Sequence, residues 1–260
     1  MASDTSKAEH RGTVYASSPG NQMTYSYHAG LPVLQSFGLW APWMWDYIKT
    51  VCPLLGDSGA YSVLNSGKTV DIEAFEQWSQ DIATLPNFWA CAALDDIAGD
   101  SKKSIANWDR HPWCFPTLHD TDDEWYVDAL RERFADSDRP RIIGVGIKPM
   151  KRGERTYRPP KTFKRVIHTA HTRLPPDLHI HGFAGGGVSG ALAATGRPWS
   201  TDSVTLVFKM AAKTIPTEHL TRAEVYELNV KISQRAQAER HANAAARDAA
   251  SRRQTELFSV

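Results

Sequence analysis

Cysteine is scarce in this chain: three in 260 residues, at Cys52, Cys91 and Cys114. No two stand in a CxxC spacing, so a structural zinc site of the usual kind is excluded. Each lies in or beside an apolar run, where a reduced thiol behaves as a small core residue. An excess of one charge is also missing, because 30 Lys and Arg against 29 Asp and Glu leave a net charge of +1. The field of the whole protein therefore selects no partner. No apolar run approaches the roughly 20 residues that cross a bilayer. The first dozen residues are polar and lack the apolar stretch of a signal peptide. A cytoplasmic location with no membrane partner is expected. What the chain does have is 42% hydrophobic residues at a mean hydropathy of -0.42, enough for a sizeable core in a water-soluble domain.

Short runs apolar on both faces read as parallel strands covered by helices. They are Cys52-Pro53-Leu54-Leu55, residues 88–94, Trp113-Cys114-Phe115, Ile142-Ile143-Gly144-Val145 and Leu178-His179-Ile180. A further strand is expected before Tyr25 or near residues 31–34, and another around residues 203–208. Between them, Ile72, Phe75, Trp78, Ile82 and Leu85 recur at helical spacing, as do Trp125, Leu130 and Phe134, and then Phe163, Ile167, Ala170 and Leu174. Alternating strand and helix means βα units. The expected fold is α/β: a (β/α) TIM-like barrel, complete or distorted, with a doubly wound open sheet as the rival. Residues 221–253 contain neither proline nor glycine and read as a long C-terminal helix. The expected division is a polar N-terminal segment at 1–20, a catalytic barrel at 21–218, and a C-terminal helix and tail at 219–260.

In a parallel barrel, chemistry is built at the carboxyl ends of the strands. Those ends read Asp57-Ser58-Gly59-Ala60-Tyr61, Asp95-Asp96, His119-Asp120, Gly144-Val145-Gly146, His181-Gly182-Phe183 and Ser200-Thr201-Asp202-Ser203. One acid at a strand end is equally well a helix N-cap; acids at three separate ends point to a shared mouth. Carboxylates converging there suit a reaction through an oxocarbenium-like sugar, one at the anomeric carbon and another moving a proton. Glycines at strand ends let a flat ring approach the backbone.

The same motifs, in the same order, resemble the tRNA-guanine transglycosylase superfamily. Asp57-Ser58-Gly59-Ala60-Tyr61 is similar to its Asp-Ser-Gly-Gly-Phe signature, and Ala93-Leu94-Asp95-Asp96 to its base-recognising aspartate. Ile143-Gly144-Val145-Gly146 is similar to its substrate loop, and Asp202 falls where the family places its nucleophile. The chain lacks the zinc site of the tRNA branch and is short. The likeness is therefore greatest to the zinc-free phage and bacterial branch that inserts 7-deazaguanine bases into DNA.

That resemblance implies base exchange in DNA, less readily in tRNA, through a covalent glycosyl–aspartate. Asp202 and Asp57 would be catalytic. Asp95, Ser58, Tyr61, Gly144, Val145, Gly146, His119, His181 and Gly182 would hold the base. The partners would be the nucleic acid and a free 7-deazaguanine-type base. No cofactor and no metal is expected. Residues 148–165 carry eight Lys or Arg and one Glu. Lys148, Lys151, Arg152, Arg155, Arg158 and Lys161 would contact phosphates there, unless the run is simply a solvated loop.

Three other readings stand beside this one. A DNA glycosylase would leave an abasic site. A metal-dependent barrel hydrolase would use His179-x-His181, although one core and one mouth histidine is the preferred account of that pair. A non-catalytic nucleic-acid-binding module would use the basic run. Residues 185–190 fit GxGxxG but lack the following acidic residue of a dinucleotide site. The aromatic stretch at residues 37–47 is either a stacking platform or buried packing.

Overall fold

The computed structural model describes residues 13–17, 32–51, 53–60, 69–96, 99–135, 138–147, 159–183 and 188–203. Among the described residues eight strands carry the fold: β1 (Thr13–Ser17), β2 (Val33–Ser36), β3 (Leu54–Asp57), β4 (Phe88–Cys91), β5 (Thr117–Leu118), β6 (Ile142–Val145), β7 (His179–Gly182) and β8 (Trp199–Ser203). Helices follow most of them: α1 (Trp45–Ile48), α2 (Ile72–Ala83), α3 (Ser101–Arg110), α4 (Glu124–Ala135), α5 (Pro159–Arg173) and α6 (Ser189–Ala193). Every strand pairing is parallel, and the order is β4-β3-β2-β1-β8-β7-β6-β5. The expected α/β class with a parallel sheet holds. The outermost strands are linked by a parallel bridge between Ala92 and Phe115. There the Ala93 N–H donates to the Phe115 carbonyl and the Phe115 N–H to the Cys91 carbonyl, both at 2.8 Å.

Strand alternation divides the apolar residues into two cores. On the helix side, Leu54, Ile143, Val145, Leu178 and Ile180 pack against Phe75, Trp78 and Ile82 of α2, Leu130 and Phe134 of α4, and Phe163, Ile167 and Ala170 of α5. On the opposite face Tyr15, Leu34, Leu55, Ala90, Ala92, Phe115 and Ile142 form a second cluster. The helices start where their sequences offer caps: Asp71 accepts the Ala74 N–H at 3.0 Å, Asp100 the Lys103 N–H at 3.1 Å and Asp123 the Tyr126 N–H at 2.9 Å. No helix among the described residues is long and apolar enough to cross a membrane.

Several boundaries differ from expectation. β1 lies inside the segment read as a polar N-terminal extension, inserted between β2 and β8. The strand expected at residues 113–115 is displaced to Thr117–Leu118, because Cys114 and Phe115 are buried but only Phe115 takes part in the bridge. The last strand starts at Trp199, not near residue 203. In α4 the apolar stripe is Tyr126, Val127, Leu130 and Phe134, while Trp125 is exposed. Of the aromatic stretch, Trp40 and Trp45 pack on the helix-side core and Trp43 is exposed. The C-terminal helix expected at residues 221–253, and residues 185–187 of the glycine motif, lie outside the described residues.

Candidate active site

Because all strands run the same way, their carboxyl ends form one rim. Asp57 is the last residue of β3 and pairs in register with Ser36, the last of β2. Asp95 follows β4, His119 follows β5, Gly146 follows β6, Phe183 follows β7, and Asp202 lies in β8. Between β3 and the next element, Gly59 has φ +74°, and a Cβ there would meet the Gly38 backbone nitrogen at 2.3 Å. Only glycine allows the chain to turn this closely past the β2 end.

Burial sets the chemistry of the acids. It pushes the Asp57 carboxyl up to about 7; the neighbouring charges of Asp95 and Asp202 add to the rise, while the Ser36 hydroxyl and the Gly59 N–H oppose it. Asp95 is also raised to about 7, again by burial first, against hydrogen bonds from its own N–H and from Ser58, with the Asp96 charge adding to the rise. The Ser58 hydroxyl donates to Asp95 Oδ1 at 3.4 Å, and His119 Nε2 lies 3.2 Å from Asp95 Oδ2. Burial holds the His119 imidazole below its ordinary value. Asp122 braces this histidine: its Oδ2 accepts the His119 backbone N–H at 2.6 Å and lies 3.9 Å from Nδ1. The Asp122 carboxyl is raised to about 6, chiefly by burial.

Beneath the rim a short polar column runs through the otherwise apolar inner face of the sheet. Ser200 Oγ stands 2.8 Å from both His179 Nε2 and His181 Nδ1. His181 Nε2 is 3.8 Å from Asp202 Oδ1, and the Ser17 hydroxyl donates to Asp202 Oδ2. Burial pushes His181 down to about 3, so it is neutral. Both histidines of the His-x-His pair are buried, on a face lined by Tyr15, Trp89, Phe115 and Phe183, and His181 is the one that stands beside Asp202.

Asp57, Ser58, Asp95, His119 and Asp202 are thus brought together. Period-two alternation turns others away. The Val145 side chain is buried in the helix-side core, and a Cβ on Gly182 would meet Leu192 of α6 at 2.9 Å. Gly144 and Gly146 face the site but make room for neighbours: added Cβ atoms would lie 2.6 Å from Phe183 Cε2 and 3.0 Å from the His119 ring. Lys161 is exposed in the first turn of α5. Tyr61, Lys148, Lys151, Arg152, Arg155 and Arg158 lie outside the described residues. Sequence reasoning missed Asp122, hidden in an acidic run that reads as a helix start, and Ser17, Ser36 and Ser200, since a strand serine carries no signal of its own. Among the described residues no group of three or more His, Cys, Asp or Glu is placed to hold a metal ion.

No protein-family model matches the chain, and no curated protein sequence matches it. Among solved structures it is similar to a putative fructose-1,6-biphosphate aldolase from Coccidioides immitis, with 10% identity, a TM-score of 0.46, and 93% of this chain and 96% of that one covered. It is also similar to the YdjI aldolase of Escherichia coli, with 11% identity, a TM-score of 0.40, and 91% and 92% covered. These neighbours are described as aldolases and not as nucleic-acid enzymes. The base-exchange activity expected from the sequence, with its DNA and 7-deazaguanine partners and its alternatives of base excision and metal-dependent hydrolysis, is corrected on that finding. Likeness this distant carries no aldolase activity over to the present chain either.

Proposed function

We propose that this chain is an enzyme that moves protons with buried carboxyl groups at the carboxyl end of an eight-stranded (β/α) barrel. Its substrate in this reading is a small polar molecule, uncharged or cationic. The Ala92–Phe115 bridge supports closure of the sheet, since it joins the two strands that an open sheet would leave as edges. Kinship with the tRNA-guanine transglycosylase superfamily belongs to the same proposal. It is supported by the collinear motifs, which fall at the ends of β3, β4, β6, β7 and β8, and it concerns the descent of the site, not its activity.

The observation that carries the reading is the pair Asp57 and Asp95, each raised to about 7. A carboxyl poised there gives and takes a proton with little bias at neutral pH. Asp95 raises Asp57, so ionisation of one opposes ionisation of the other. The favoured state holds one proton on the pair, one member acting as acid and the other as base. His119, neutral and 3.2 Å from Asp95, extends the path of that proton. Asp202, Asp96 and Asp122 add acidic groups, and among the described residues the cation paired with them is Lys103, 3.1 Å from Asp96. The acidic lining of the described part supports an uncharged or cationic substrate.

Carbon-13 NMR of the carboxyl groups in the full chain, with Asp57→Asn and Asp95→Asn for assignment, tests the reading. Two midpoints near 7 are expected, and Asp95→Asn should lower the midpoint of Asp57. Both acids titrating below 5 would remove the basis of the proposal.

A further inference from the structure

The polar column under the rim has a consequence independent of the substrate. One hydroxyl, Ser200 Oγ, serves two imidazoles, each at 2.8 Å. It holds a single proton and two lone pairs, so it can donate to one ring at most and accepts from any ring that donates to it. If His181 donated from Nδ1, its Nε2 lone pair would face the Asp202 carboxylate across 3.8 Å. Nε2 is fully buried and has no hydrogen-bond partner among the described residues. A buried lone pair directed at an anion is unfavourable, whereas an N–H directed at it is favourable.

The geometry points to His181 as a positioning residue for Asp202: it carries its proton on Nε2 and presents that N–H to Oδ1, while Ser17 holds Oδ2. Ser200 donates to His181 Nδ1, and His179 donates from Nε2 to Ser200, so the two deeper residues fix the tautomer of the upper one. His179 is itself packed in a T-shaped contact with the Trp89 ring, centroids 4.9 Å apart. Around His181 the packing is aromatic, from Tyr15, Phe115 and Phe183. The titratable groups facing it are Asp202 and, through Ser200, His179, while the charge of Asp202 acts in turn on Asp57 of β3. Asp202 is thereby held by Ser17 on one side and oriented by the field of the His181 N–H, 3.8 Å away, on the other, before any substrate arrives.

The test needs no activity. Long-range proton–nitrogen correlation spectra of the nitrogen-15-labelled full chain at pH 7 report the protonation state of each imidazole nitrogen. His181 is expected with a protonated Nε2 and a bare Nδ1. A proton on Nδ1, or an imidazolium, would overturn the assignment. Ser200→Ala should release His181 to a mixture of tautomers; an unchanged spectrum would remove Ser200 from the relay. His181→Phe should raise the Asp202 midpoint by on the order of one pH unit, and His181→Gln, which keeps an N–H donor, should restore much of it. Equal midpoints in all three proteins would leave His181 without a positioning role. Should a variant fail to fold, the wild-type spectrum alone decides the tautomer.

Discussion

A carboxyl that keeps its proton at neutral pH in the folded chain loses it near 4 when the chain unfolds, and that difference makes stability depend on pH. Moving Asp57 or Asp95 from 3.8 to about 7 corresponds to about 4 kcal/mol against ionisation, as an upper bound. Below pH 4 both states hold the proton and nothing is lost. Between 4 and 7 the folded chain binds more protons than the unfolded one, so stability falls as pH rises; above 7 the full cost is present. Asp57→Asn and Asp95→Asn should therefore raise the melting temperature at pH 8 by several degrees and leave it nearly unchanged at pH 4. Thermal unfolding at the two pH values checks this, and an equal effect at both would mean that burial does not set these acids. The two residues were legible in the sequence because each ends an apolar strand. Asp122 was not, because three acids follow Asp120 within four residues and only coordinates tell which one turns back to the His119 N–H.

Elements were legible where burial is two-sided and obscure where it is not. β6, Ile142–Val145, was read with its bounds correct because all four residues are buried. β1 was missed because Thr13–Ser17 mixes Tyr15, which is buried, with polar residues and follows a polar start. The end of α5 depends on a residue that no helix signal reveals. Arg197, buried beyond α6, donates to the carbonyls of Ala170 at 3.4 Å, Leu174 at 3.0 Å and Pro175 at 2.8 Å, and to that of His171. Helices leave their last four carbonyls without internal partners, and here one guanidinium serves two of them, Ala170 and His171, and the two carbonyls just past the helix. Arg197→Ala removes these donors from buried acceptors and should cost about 2–4 kcal/mol. Asp71→Ala, which removes only the exposed N-cap of α2, should cost about 1 kcal/mol. Chemical denaturation ranks the two, and an Arg197→Ala penalty no larger than the Asp71→Ala one would show that water replaces the guanidinium.

At the scale of the molecule the weakest junction is the one between the two outermost strands of the sheet. Neighbouring strands elsewhere pair through at least two register positions, whereas β4 and β5 meet at the single Ala92–Phe115 bridge. The site straddles this seam: Asp95 lies just past β4 and His119 just past β5, and their 3.2 Å approach depends on the two strands staying together. Sequence patterning indicated βα units but not this junction, because the residues that make it, Cys91, Ala93 and Phe115, pair through backbone groups. In an open sheet the amides of Ala93 and Phe115 would lie on exposed edges and exchange with solvent readily. In a closed one they are interstrand bonds like that of Gly144 N–H to the Pro116 carbonyl, at 2.9 Å. Residue-resolved hydrogen exchange should give Ala93 and Phe115 protection within about tenfold of Gly144. Protection at Gly144 together with unprotected Ala93 and Phe115 would mean that the seam opens in solution. Asp95 and His119 would then separate with it, and proton transfer between them would require a closing step first.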